Sequence, residues 1–160
     1  LLALNYAEAG TLAPPGALQF ALLPEEEAAA AADRLMTQGI QRVAALVPDD
    51  ELGTRTLAAF RARLEALGGE LATTGRYSPA AIENSAALQA ALGFADSEAR
   101  LRQLRAITGL ELSMQPTRRG DLQGLFLVAR APQARLLLPQ LRAADIGDWP
   151  IVATSAIWTG

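Results

Sequence analysis

The chain has 160 residues, of which 51% are hydrophobic and 19% charged, and its formal net charge at pH 7 is -3. It has no histidine and no cysteine, and all 14 basic residues are arginine, which excludes Ser-His-Asp triads, Cys-His dyads, zinc sites with nitrogen or sulfur ligands, Walker lysines and Schiff bases. Negative charge and few aromatic residues argue against nucleic-acid binding, and no apolar stretch approaches the roughly 20 residues that cross a bilayer.

The first half of the chain predicts two helices that alternate with two strands. Pro24 and the three glutamates after it are typical of a first helical turn, and the apolar spacing predicts a helix over 24–38 that ends at Gly39. The continuous apolar run 42–47 predicts a strand buried on both faces. An acidic loop over 48–52 then leads to a helix predicted over 53–67, and a second strand follows over 70–77.

The second half predicts three helical segments and two more strands. Ser78 before Pro79 predicts a helix N-cap, with helices at about 80–92 and 97–108. A polar connection over 109–121 precedes a third buried strand over 124–129. A helix is expected over 132–144, in which Pro139 should produce a kink or a split because it has no amide hydrogen. The fourth strand is predicted over 151–154.

This alternation predicts the fold class: α/β, with a doubly wound parallel sheet of the Rossmann-like kind. Strands joined by helices need right-handed crossovers and a sheet covered on both faces. Numbered in chain order, the four strands are expected in the spatial order 2-1-3-4.

Polar residues follow each of the predicted strands at the carboxyl edge of the sheet, where open parallel sheets bind ligands. The acidic loop could recognise a cation or an amine there, or it could be a solvated loop that favours the following helix through its dipole. A hydrolase that works with a pair of carboxylates would need a second acidic residue opposite this loop, and the sequence does not place one there. The hydroxyls and the arginine at the other strand ends could bind a polar ligand or could be turn and capping residues. The candidate cleft-rim residues are Asp49, Asp50, Gly53, Tyr77, Ser78, Arg130, Thr154 and Ser155.

Several separate segments also carry a family resemblance. Residues 42–53, Phe60 and the Leu-Gly-Gly-Glu turn at 67–70 resemble the second lobe of type I periplasmic binding proteins. Leu-Ala-Leu-Asn at 2–5 and Leu-Leu-Pro-Glu-Glu-Glu-Ala at 22–28 resemble the LppC family of outer-membrane lipoproteins, the penicillin-binding-protein activators of the LpoA type. Its pattern RRxDxDxxFL is similar to residues 118–127, and its Pro-Gln-Leu and Ala-Thr-Ser tripeptides recur at 139–141 and 153–155. Leu23 stands where the family pattern has a capping Ser, and Gln123 stands in place of its second Asp.

The resemblance implies one lobe of a type I periplasmic-binding-protein-like domain. Residues 1–23 would then be an opening segment that crosses from a missing first lobe, and residues 24–160 a second α/β lobe truncated at its C-terminal end. It further implies a periplasmic protein, anchored to the outer membrane by an N-terminal lipid that lies outside this chain. Such a protein stimulates a bifunctional peptidoglycan synthase, a penicillin-binding protein, by direct contact.

Arg118 and Arg119 are candidates for contact with an acidic partner, although two solvated charges on a loop would look the same. Trp149 and Trp158 could belong to the core or to an interface, where exposed tryptophans are enriched. The leading hypothesis is a regulator that is not an enzyme and holds no metal or cofactor. The alternative is a solute-binding lobe that recognises a small amino-acid-like ligand for transport or sensing, and a carboxylate-dependent enzyme is a third class.

Overall fold

A computed structural model describes residues 2–3, 18–19, 23–94, 106–107, 109, 117–144, 146 and 148–158 of the chain. The strands are β1 (Leu2–Ala3), β2 (Leu18–Gln19), β3 (Arg42–Pro48), β4 (Glu70–Tyr77), β5 (Gly124–Leu127) and β6 (Ile151–Ala153). The helices are α1 (Pro24–Thr37), α2 (Glu51–Ala66), α3 (Ser85–Ala91) and α4 (Ala131–Ala143), and a 3-10 turn over Ser155–Ile157 follows β6. In these ranges no helix has both the length and the apolar content needed to span a bilayer.

The main sheet has four parallel strands in the order β4-β3-β5-β6, which confirms the predicted order. The short strands β1 and β2 pair with each other in parallel and form a separate two-stranded sheet. Because all four main strands run the same way, their carboxyl ends meet at one edge. Residues that follow adjacent strands therefore lie side by side along this edge.

Side chains of the two central strands alternate between the two faces of the sheet. Ala44 and Leu46 of β3 face a core that includes α3 and α4, together with Leu125 and Leu127 of β5. The neighbouring residues of each strand face a second core, built with α1 and α2, in which the rings of Phe60 and Phe126 stack with centroids 4.1 Å apart. The protein is a three-layer α/β sandwich, in agreement with the predicted fold class.

Helices α1 and α2 lie side by side on one face of the sheet and are joined by ion pairs at two levels. Arg55 Nε lies 2.6 Å from Glu25 Oε1. About two helical turns further along both helices, Arg63 Nη2 lies 2.8 Å from Asp33 Oδ1. Between these levels the small side chains of Ala28, Ala31 and Ala32 are buried. The absence of bulk there allows the two helices to approach closely.

Several predicted element ends differ from the structure by one or two residues, as at Leu127, where the strand predicted over 124–129 ends; two helix starts and the effect of Pro139 call for a physical explanation. Helix α2 begins at Glu51 and not at Gly53, because Asp50 caps it. The helix after β4 begins at Ser85 and not near Ala80, so the predicted N-cap at Ser78 is wrong. Helix α4 continues through Pro139 without splitting, which is possible because the proline lies on the exposed side of the helix. The helix predicted over 97–108 falls largely outside the described residues, of which 106–107 are helical.

Candidate functional site

A cleft of about 220 Å³ opens at the carboxyl edge of the main sheet, between the ends of the central strands and the first turns of α2 and α4. Three of the predicted rim residues contribute to its walls: Asp50, Tyr77 and Arg130. The complete lining comprises Pro48, Asp50, Leu52, Tyr77, Pro79, Val128, Ala129, Arg130, Gln133 and Ala156.

Asp50 is the N-cap of α2, and its side chain is held by the helix that follows it. The backbone N–H of Gly53 donates to Asp50 Oδ1 at 2.8 Å. This geometry satisfies one of the amides that a helix N-terminus leaves unpaired, and the negative charge also complements the helix dipole. Asp50 thus stabilises the start of the following helix, as the interpretation of a solvated acidic loop predicts. Asp50 also lines the cleft.

Gly53 lies inside the first turn of α2 and does not line the cleft. A Cβ atom at this position would lie 1.9 Å from the backbone carbonyl oxygen of Pro48. Because only glycine allows the helix to start this close to the end of β3, the role of Gly53 is structural.

Asp49 lies beside the cleft lining and points to solvent. Its backbone N–H donates to the carbonyl of Tyr77 at 2.8 Å, which joins the ends of β3 and β4. Its carboxylate lies 3.5 Å from Arg76 Nη1, and 67% of the side chain is exposed. The exposed carboxylate is thus part of a surface ion pair outside the cleft.

Tyr77 is buried at the floor of the cleft, where its hydroxyl donates to the carbonyl of Val128 at 3.0 Å. Burial raises the pKa of Tyr77 to about 12, and the nearby charge of Asp50 adds to this effect. The hydroxyl is therefore protonated and hydrogen-bonded at neutral pH, which makes it a structural donor between β4 and the end of β5.

The turn after β4 depends on Asn84, a residue that the sequence did not identify. The side-chain oxygen of Asn84 accepts from the N–H of Ser78 at 3.0 Å, and its Nδ2 donates to the carbonyl of Ala81 at 3.2 Å. Asn84 is itself buried. Ser78 thus lies in a turn closed by Asn84, and this turn replaces the helix start that Ser78 and Pro79 predict.

Arg130 precedes α4 and is its N-cap residue, in an extended conformation. One turn further along, Gln133 also lines the cleft and was not identified from the sequence. Its Nε2 lies 3.4 Å from the carbonyl of Pro79, and its buried Oε1 has no hydrogen-bond partner among the described residues. A lone glutamine on a helix gives no sequence signal, because only the crossover geometry brings it to the cleft.

Thr154 and Ser155 follow β6 but do not line the cleft. Thr154 is buried, and in the part of the chain that the structure describes its hydroxyl oxygen has no hydrogen-bond partner. The N–H and the hydroxyl of Ser155 both donate to the carboxylate of Glu27 on α1. This contact holds the 3-10 turn, whose Ala156 forms one wall of the cleft.

The two arginines predicted to contact a partner lie away from the cleft, near the start of β3. Arg119 binds Asp121 through Nε at 2.7 Å and Nη2 at 3.1 Å, and Asp121 also contacts Arg42 at 2.8 Å. The hydrogen bond from Arg119 lowers the pKa of Asp121 below its usual range. The guanidinium of Arg118 lies over the ring of Trp149 at 5.2 Å from its centroid. Both arginines therefore have intramolecular roles.

Gln123 also belongs to this amino-terminal edge of the sheet. Its Oε1 accepts from the backbone N–H groups of Gln41 at 2.8 Å and Arg42 at 3.0 Å. A side-chain oxygen here secures the entry to β3, so the residue that departs from the family pattern still supplies an acceptor.

The cleft offers a carboxylate, a guanidinium and an amide for the recognition of polar groups. Within the described ranges no group of three acidic side chains is arranged to hold a metal ion. The two tryptophans differ in environment, since Trp149 packs partly buried against the core and 79% of Trp158 is exposed.

Comparisons with known proteins agree on one family. The family model described as "LppC putative lipoprotein" matches residues 1–160. Penicillin-binding protein activator LpoA of Photobacterium profundum is 32% identical over 145 residues, which are 90% of this chain and 23% of that protein. The chain thus spans less than a quarter of the length of this curated relative.

Two groups of solved structures share the fold. Full-length LpoA from Haemophilus influenzae superposes with a TM-score of 0.58 at 22% identity, over 98% of this chain and 23% of that one. A solute-binding protein of an ABC transporter from R. palustris, in complex with 4-hydroxybenzoate, also has a TM-score of 0.58, at 14% identity over 89% of this chain and 33% of that one. At these identities the likeness concerns the fold.

Proposed function

Because this chain belongs to the LppC lipoprotein family, we propose that it is part of a regulator that activates a penicillin-binding protein by direct protein contact. The observation that carries the proposal is the family match over the whole chain, together with a 32% identical relative that is itself named a penicillin-binding protein activator. The chain would be one lobe of a larger periplasmic protein whose lipid anchor lies in another segment.

The chemistry of the cleft supports a role without catalysis. General acid–base and nucleophilic catalysis need a side chain that can exchange a proton near the working pH. Tyr77 is protonated up to about pH 12, and Asp50 is engaged at the helix N-terminus. The sequence contains no histidine, cysteine or lysine that could act instead.

The proposal is tested by binding and activity measurements on the full-length protein that carries this chain. We expect it to bind the bifunctional penicillin-binding protein of the same organism and to raise its rate of peptidoglycan synthesis from lipid-linked precursor. The absence of both binding and stimulation, with both proteins folded, would contradict the proposal.

The cleft itself favours a second candidate, a solute-binding lobe for a small amino-acid-like ligand. Asp50 and Arg130 line the same cleft and carry opposite charges, as a zwitterion would require. Calorimetric titration of the full-length protein with free amino acids distinguishes the two. Micromolar binding of an amino acid without affinity for a penicillin-binding protein would favour this candidate over the first.

A further inference from the structure

Within the described residues, no ion pair neutralises the positive charge of helix α4. Its exposed surface includes Arg135 and Arg142, and Arg130 precedes its first turn. Its sequence contains no Asp or Glu, and across the described part of the chain none of these three arginines forms an ion pair. By contrast, Arg55 and Arg63 of α2 both bind carboxylates of α1.

Two of these arginines lie on the same side of the helix. Arg135 and Arg142 are seven residues apart, which is close to two helical turns and about 10 Å along the axis. Leu136, 41% exposed, and the exposed Pro139 lie beside and between them. We call these four residues the α4 outer face: Arg135, Leu136, Pro139 and Arg142.

Pro139 is the second, independent sign that this face is not optimised for stability alone. A proline in a helix interior removes a backbone hydrogen bond and costs about 3 kcal/mol relative to alanine. Its exposed position provides no core packing in return. Residues that contradict the local secondary-structure preference without stabilising the fold are expected at functional sites.

We propose that the α4 outer face docks onto an acidic surface of the penicillin-binding protein, which presents two carboxylates about 10 Å apart on either side of an apolar contact. This inference rests on the proposed function and names the surface that carries it out. The guanidinium group of arginine binds a carboxylate through two parallel hydrogen bonds. The exposed arginines of α4 form a region of positive charge on a chain whose net charge is -3.

A membrane surface fits the α4 outer face less well than a protein does. Basic segments that bind anionic lipids carry clusters of about four to eight Lys or Arg residues, because each contributes only about 1 kcal/mol. The α4 outer face has two, and the net charge of -3 opposes attraction to an anionic bilayer.

The test compares charge-reversed variants of the full-length protein for binding to the penicillin-binding protein. Arg135→Glu/Arg142→Glu reverses the two charges of the α4 outer face. Arg34→Glu/Arg61→Glu is the matched control, because it changes the net charge equally at two other arginines without an ion pair in the described structure. Circular dichroism and thermal melting verify folding, and Arg135→Gln/Arg142→Gln repeats the test without introducing repulsion.

We expect the α4 reversal to raise the Kd by about tenfold or more, and to reduce the dependence of the Kd on salt. The control should stay within about twofold of the wild type. Wild-type affinity in both α4 variants would overturn the inference and leave the proposed function intact, whereas a wild-type protein that does not bind would overturn both. Binding to phosphatidylglycerol vesicles that depends on these arginines, with unchanged affinity for the penicillin-binding protein, would assign the face to lipid and also overturn it.

Discussion

The hydroxyl of Tyr77 donates a 3.0 Å hydrogen bond to the carbonyl of Val128 and so connects two strands that are not neighbours in the sheet. The bond passes over the end of β3 and forms the floor of the cleft. Tyr77→Phe should lower the free energy of unfolding by about 1–2 kcal/mol, because it leaves a buried carbonyl without a donor. Urea denaturation followed by circular dichroism measures this change, and an unchanged midpoint would show that the bond contributes nothing.

The same residue predicts how stability changes at alkaline pH. The folded pKa of Tyr77, about 12, lies above the unfolded value of 10.0, so the folded state holds the proton more tightly. Its contribution is fully present below pH 10 and is lost as the pH rises towards 12, by on the order of 2 kcal/mol. Denaturation across this range should show a decline that is smaller in Tyr77→Phe. A parallel decline in both proteins would contradict the assignment.

Gly53→Ala should destabilise the protein by about 2–3 kcal/mol, since the added methyl group meets the carbonyl of Pro48 at 1.9 Å. Gly120→Ala is the matched control, because a Cβ atom there would meet no atom of the described residues within 4 Å. Its effect should stay within about 0.5 kcal/mol. Thermal denaturation of the two variants measures the difference, and equal melting temperatures would refute the steric reason.

The two aspartates of the acidic loop should behave differently. Asp50→Ala removes the cap of α2 and should cost about 1 kcal/mol, whereas Asp50→Asn keeps a capping oxygen and should cost less. Asp49→Ala removes only a surface ion pair of 3.5 Å and should change the free energy of unfolding by at most about 0.5 kcal/mol. Equal losses for Asp49→Ala and Asp50→Ala in urea denaturation would count against the capping role.

Gln123→Ala removes the acceptor shared by two amides at the start of β3 and should cost about 0.5–1.5 kcal/mol, because water can reach this exposed site. Gln123→Glu keeps the oxygen and should retain more of that stability. Hydrogen exchange at the amides of Gln41 and Arg42 gives a local measurement. Exchange that stays as slow in Gln123→Ala as in the wild type would show that the amides do not depend on this side chain.

The sequence predicted the architecture well because buried parallel strands leave a direct signal. The continuous apolar runs at 42–47 and 124–129 correspond to the two central strands, and Gly39 and the Gly68–Gly69 pair end their helices as expected. The strand order followed from crossover rules. Boundaries failed where one short-range side-chain contact outweighed another local preference, as at Ser78, whose N–H donates to Asn84 six residues further along.

The candidate site was predicted only in part, for a physical reason. Strand order places Asp50, Tyr77 and Arg130 together at the cleft, but it does not fix which way a side chain points. Thr154 turns into the core and Ser155 binds α1. Arg119 binds Asp121 two residues further along, whereas Arg118 lies over the ring of Trp149, and no local pattern reports a contact with so distant a residue.

The contact between Glu27 and Ser155 joins positions 128 residues apart in the chain. Closing so long a loop costs entropy that is recovered only when the intervening strands are already paired. This contact should therefore form late in folding and open first under native conditions. Local opening would release the 3-10 turn and the edge strand β6 while the central strands stay paired. Such opening would move the wall of the cleft at Ala156 without unpairing the central strands.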